Sequence, residues 1–169
     1  MKIFRNLTAA VAALTLVSCG YHLGGMKTSA LQNMNTFCVE MFDNQTLHPN
    51  AGMLVTSAVT NTLQSDGTYR MSPRNEADFV VKGCVSKIDR DSWITDTEDS
   101  YVSTQIGVRV QVHYQVVDMK SGRVLISAEE EESGNYFNDV GSAESSFEAA
   151  VSYAARRIAD DITTTLVTQ

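Results

Sequence analysis

The sequence predicts an α+β two-layer sandwich: a mostly antiparallel sheet of four to five strands with two amphipathic helices on one face, in the order strand, helix, strands, helix. Three observations carry this expectation. Gln105 to Val117 alternates without a break, with Ile106, Val108, Val110, Val112, Tyr114 and Val116 on one side and Gln105, Gly107, Arg109, Gln111, His113 and Gln115 on the other. That is a strand with one buried and one wet face. Two segments, Asn50 to about Leu63 and Ser142 to about Leu166, repeat their apolar residues at helical spacing. Each such helix needs an apolar partner, and a sheet with one apolar face supplies it.

The elements follow in order. Thr36 to Phe42 alternates, with Phe37, Val39 and Met41 on one face and Cys38, Glu40 and Phe42 on the other, and reads as a first strand. Asp43-Asn44-Gln45-Thr46 is turn chemistry, and Pro49 stands where a helix can begin. Ala51, Leu54, Val55, Ala58, Val59 and Leu63 form the stripe of the first helix, and Gly67 is placed to end it in a left-handed conformation. Thr68 to Met71 is a short extended piece. Ala77 to Ile88 is a longer strand, with Phe79, Val81 and Val85 on one face and Val80, Lys82, Cys84 and Ile88 on the other. Gly83 marks a bulge or a close approach within it. Asp89 to Ser100 reads as a strand end and an acidic loop around Trp93 and Ile94. Asp118 to Gly122 is a hairpin turn, and Arg123 to Gly134 is the return strand with Val124, Ile126 and Ala128 inward. Its acids, Glu129 to Glu132, mark an exposed or edge segment. The last helix carries Phe147, Val151, Ala154, Ala155, Ile158, Ile162 and Leu166 on one stripe, with Ser142, Ser145 or Ser146 as its cap.

Ahead of this domain lies a leader. Lys2 and Arg5 precede an apolar run from Leu7 to Val17, too short to span a bilayer and shaped as a secretory signal peptide. Leu16-Val17-Ser18-Cys19 resembles the lipobox of bacterial lipoproteins, in which the cysteine thiol takes a diacylglyceryl group and the peptide is cut just before it. The expected organisation is therefore residues 1–18 as signal peptide, 19–35 as a lipidated tether and 36–169 as one sandwich domain. A multiply acylated Cys19 would hold the N-terminus firmly in a bilayer. Gly20, where inner-membrane lipoproteins often carry Asp, fits sorting to the outer membrane.

The formal net charge is −7, and the leader contributes two cations and no acid, so the remaining chain is more acidic still. Bulk electrostatics argue against nucleic acid as a partner. Beyond Cys19 the chain has Cys38 and Cys84. They are either two buried thiols or a disulfide worth roughly 4 kcal/mol in the chain-entropy view.

Little in the sequence points to catalysis. His22, His48 and His113 have no second His or Cys at metal-ligand spacing, and there is no nucleophile elbow, phosphate loop or zinc-protease helix. The acids from Asp96 to Asp99 lack calcium-loop spacing. Trp93 is either a plug in the domain's own core or an exposed anchor for a partner. The chain is expected to be no enzyme, with no cofactor beyond its covalent lipid and no metal.

Laid end to end, several motifs resemble those of the lipopolysaccharide-assembly lipoproteins of the LptE type. They are Cys19-Gly20-Tyr21-His22-Leu23, then Met41-Phe42-Asp43-Asn44-Gln45-Thr46, then Pro49 and its helix, Gly67 to Arg70, and Ala77-Asp78-Phe79-Val80-Val81-Lys82-Gly83. The resemblance implies an outer-membrane lipoprotein that plugs a large β-barrel partner of the LptD type and helps deliver lipopolysaccharide to the cell surface. It implies contact with lipopolysaccharide through basic residues near the tip of the sheet, for which Lys82, Lys87 and Arg90 are the candidates. The rival expectation is a free-standing, periplasm-facing envelope lipoprotein acting as a binding or adhesion module.

Overall fold

The computed structural model describes residues 27–92, 105–137 and 143–167. The expected lipidation site Cys19, His22, Trp93 with Ile94, the Asp96 to Asp99 acids and the expected cap Ser142 lie outside the described residues. Among the described residues, six strands and two long helices form the fold: β1 (Thr36–Val39), β2 (Asp43–Asn44), α1 (Ala51–Asp66), β3 (Arg70–Met71), β4 (Phe79–Ser92), β5 (Gln105–Asp118), β6 (Val124–Phe137) and α2 (Ala143–Val167). The sheet runs β3-β1-β4-β5-β6, with β2 lying beside β4 beyond the end of β1. Its three long strands are antiparallel, and β1, β2 and β3 pair in parallel, so the sheet is mixed at one side.

Both helices pack on one face. The apolar row of β5 (Val108, Val110, Val112, Tyr114, Val116) is buried beneath Val55, Val59 and Leu63 of α1 and Ala154, Ala155, Ile158 and Ile162 of α2. The helical stripes and the β5 alternation thus stand as read from the sequence. Gly67 ends α1 at φ 76°, a left-handed backbone that only glycine adopts at no steric cost. Gly122 closes the β5–β6 hairpin at φ 69°.

Four local expectations change. The segment 36–42 is not one strand: it breaks after Val39, and Phe42, not Met41, turns inward. Phe42 is 2% exposed and Met41 66%. The physical reason is Gly83, where a Cβ would stand 2.6 Å from the Phe42 ring, so the absent side chain makes room for the aromatic. Second, a bulge between Val85 and Lys87 resets the β4 register. Ile88 therefore pairs with buried Val110 and packs against the core, opposite to the face expected of it. Third, Val124 is half exposed, while the inner row of β6 continues through Glu130 and Glu132 to buried Gly134 and Tyr136. Glu132 reaches the α2 residue Arg157, with Arg157 Nε 2.8 Å from its carboxylate.

Fourth, the fold begins before residue 36. Leu31 is fully buried in a short 3-10 turn (Ser29–Leu31), and the Thr28 hydroxyl donates to the carbonyl of Thr165 at 2.8 Å. The segment expected as tether is part of the domain from at least Lys27.

One carboxylate pins the start of β1 to β4. Asp78 accepts from the backbone N–H of Asn35 (2.9 Å) and Thr36 (3.1 Å), from the Thr36 hydroxyl and from Lys120. These donors, the Asn35 N–H first, hold its pKa at about 2, against 3.8 ordinarily. A depressed carboxyl stabilises the fold at pH values above the unfolded-state pKa and loses that contribution as pH falls through the folded one. Asp78→Asn is therefore expected to lower stability by about 1–3 kcal/mol at pH 7. Urea midpoints of the two proteins should converge between pH 4 and pH 2; a constant gap across that range would contradict this account.

Candidate functional site

The face of the sheet away from the helices is uncovered among the described residues. Strand alternation puts Lys82, Cys84, Lys87 and Asp89 of β4 on it, with Arg109, Gln111, His113 and Gln115 of β5 and Ser127, Glu129 and Glu131 of β6. Opposite charges face each other across the strands. Arg109 lies 3.3 Å from Glu131, His113 Nδ1 lies 3.4 Å from Glu129, and Lys87 pairs with Asp89 along its own strand. Exposed pairs of this kind contribute little to stability. They make a wet, mixed-charge surface.

The middle of this face forms a concavity of about 700 Å³, bordered by Glu40, Met41, Asp43, Gln45, Lys82, Cys84, His113 and Glu129. Near its β2 side stand two unusually exposed apolar side chains, Met41 and Leu47, the latter 97% exposed. A cleft of about 220 Å³ lies elsewhere, between the start of α1 and α2, lined by His48, Pro49, Asn50, Phe147, Glu148 and Val151.

The three basic candidates do not meet. Lys82 and Lys87 stand on the open face, opposite Gln115 and Gln111. The bulge at Ser86 carries Arg90 to the helix side, where its guanidinium carbon sits 4.1 Å from the centre of the Phe147 ring. His48 packs on the same ring, 4.5 Å between centroids. The sequence held one signal of this turn. Phe79, Val81 and Val85 keep one phase and Ile88 falls out of it, which a single inserted residue repairs.

Cys38 and Cys84 are free thiols. The expected alternative, a disulfide, is not formed, and register explains why. Cys38 pairs with Val80, four residues before Cys84 on β4, about 13 Å along the strand. A bridge needs Cα atoms within about 7 Å.

Among the described residues, no group of three or more His, Cys, Asp or Glu side chains is gathered closely enough to hold a metal ion. No described helix is long and apolar enough to cross a membrane. The helices lie on one side of the sheet and a polar concave face on the other.

Comparison with known proteins gives first the fold and then the family. The fold is shared with a protein of Xanthomonas campestris (TM-score 0.60, 11% identity, 85% of this chain and 87% of that one). It is shared with a hypothetical protein of Chlamydia trachomatis (TM-score 0.55, 10% identity, 80% and 99%). It is shared too with a Caulobacter crescentus protein proposed to be a lipoprotein (TM-score 0.54, 15% identity, 78% and 88%). At these identities the likeness is one of fold. No curated protein matches the chain by sequence. The profile of the LptE family, described as lipopolysaccharide-assembly, matches residues 34–166. This chain belongs to that family.

Proposed function

We propose that the protein is an outer-membrane lipoprotein, anchored through acylated Cys19, that occupies the lumen of a lipopolysaccharide-export β-barrel of the LptD type and aids delivery of lipopolysaccharide to the outer leaflet. The observation that carries this reading is the open sheet face. It is broad, concave, polar and, among the described residues, uncovered, and the family match, residues 34–166, includes every strand that builds it. Barrel interiors are polar and wet, and a mixed-charge sheet face with Met41 and Leu47 projecting beside it suits such a wall. A domain with this surface does not need an apolar partner, only a shaped and hydrated one.

Lipopolysaccharide contact, if it runs through the three basic candidates, engages two separate places: Lys82 and Lys87 on the open face, and Arg90 beside the helices. Removing either group alone would then leave partial binding.

The deciding experiment is a mild-detergent pull-down of the tagged chain from outer membranes, with mass spectrometry of what is retained. A stoichiometric barrel of the lipopolysaccharide-export type is the expected result. Recovery of the chain alone, from membranes rich in such a barrel, would overturn the plug reading in favour of a free-standing binding module. The anchor is tested separately. Cys19→Ala should lose palmitate labelling and no longer co-fractionate with the outer membrane; retention of the label would place the acyl chain elsewhere.

A further inference from the structure

Three adjacent strands bring Cys84, His113 and Glu129 into one row across the open face. Cys84 of β4 is the register partner of His113 on β5, and His113 is that of Glu129 on β6. Directly opposed residues on one sheet face hold their Cβ atoms about 5 Å apart, which puts the Cys84 thiol within reach of the imidazole. Glu129 lies 3.4 Å from His113 Nδ1. A carboxylate at that nitrogen holds its proton and leaves Nε2 as the basic one. All three side chains border the 700 Å³ concavity, and so does Lys82. A nucleophile, a base and a group that orients the base constitute the arrangement by which proteins activate cysteine.

We propose that Cys84 is a thiol–disulfide exchange site, with His113 as its base and Glu129 as the positioning residue, and that the concavity admits an organic disulfide. The Cys84 proton passes to His113 Nε2 and the thiolate attacks one sulfur of the incoming disulfide. A new S–S bond forms as the old one breaks, and the departing thiolate recovers the proton from the imidazolium. One disulfide and one thiol enter, and one disulfide and one thiol leave, so no outside oxidant is required. The inference uses the same face as the barrel reading, but it is tested on the purified chain without a barrel, so either can fail alone.

Cys38 provides an internal control. It lies on the same face, opposite Val80, and burial, then the charge of Glu40, pushes its thiol up.

The test treats the purified full chain with glutathione disulfide and maps adducts by mass spectrometry over time. Cys84 should acquire glutathione at least about tenfold faster than Cys38 at pH 7. His113→Gln should slow Cys84 by about tenfold or more and change the pH dependence of its rate. Glu129→Gln should give a smaller loss that Glu129→Asp restores. Equal rates at the two cysteines of the wild-type chain would overturn the proposal. So would a normally folded His113→Gln chain, by circular dichroism, that reacts at the wild-type rate from pH 6 to pH 9.

Discussion

Phe79→Ala is expected to destabilise the domain by about 3–5 kcal/mol. Phe79 is fully buried at the start of β4, where three parts of the chain meet. Its ring stacks against Phe37 of β1 (6.3 Å between centroids) and stands edge-on to Tyr69 (5.1 Å), just before β3. Tyr69 in turn donates its hydroxyl to the carbonyl of Leu166 near the end of α2, at 2.9 Å. Truncation removes the central ring of this chain of contacts and leaves a cavity that rigid neighbours on both strands cannot fill. At roughly 2–4 °C per kcal/mol for a domain of this size, the melting temperature should fall by about 6–20 °C. Leu47→Ala, at an almost fully exposed residue, should change stability by less than about 0.5 kcal/mol. Urea midpoints measure both. A Phe79→Ala loss below about 1 kcal/mol would mean that the site collapses or is not packed as described.

The parts of this fold legible in the sequence are those set by local periodicity. Both helices, the hairpin and β5 carry their burial pattern within a few turns or residues, and Gly67 announces a backbone that only glycine enters freely. The parts that were not legible are set by partners far away in the chain. Phe42 turns inward because Gly83, some forty residues later, has no side chain to oppose it. The parallel pairing of β1 with β4 depends on where the crossover of α1 returns the chain. Leu31 joins the core because α2 ends beside it, as the Thr28–Leu166 and Thr28–Thr165 hydrogen bonds show. The candidate site follows the same rule. That Lys82, Cys84 and His113 lie on a wet face could be read from alternation. That Arg90 does not join them depends on a bulge, whose only trace is the phase slip between Val85 and Ile88. That Glu129 stands beside His113 follows from hairpin register, which the turn at Asp118 to Gly122 sets. Chemistry in this chain is spread one residue per strand, so no linear motif announces it.

Gly134→Val is expected to cost about 3 kcal/mol, against the sign that strand propensity alone would give. In a β-strand, glycine is ordinarily the weaker residue and valine the stronger by roughly 1 kcal/mol. At Gly134 the helix leaves no space. A Cβ there would stand 2.2 Å from the carbonyl oxygen of Ala150 and 2.9 Å from its carbonyl carbon, both in the backbone of α2. A flexible side chain could swing away from such a contact; a helix backbone cannot move without taking its buried face with it. Lifting α2 from β6 would loosen Phe147, Val151 and Ala154 together, since these sit on the same stripe. Overpacking of this kind costs about 1–3 kcal/mol or more. The cause can be isolated by adding Ala150→Gly to the variant. Because the obstructing atoms are backbone, deleting the Ala150 methyl should give no relief and should weaken the helix further. Recovery of wild-type stability in the double variant, measured by urea unfolding, would show that side-chain crowding rather than the close approach of helix and strand fixes glycine at this position.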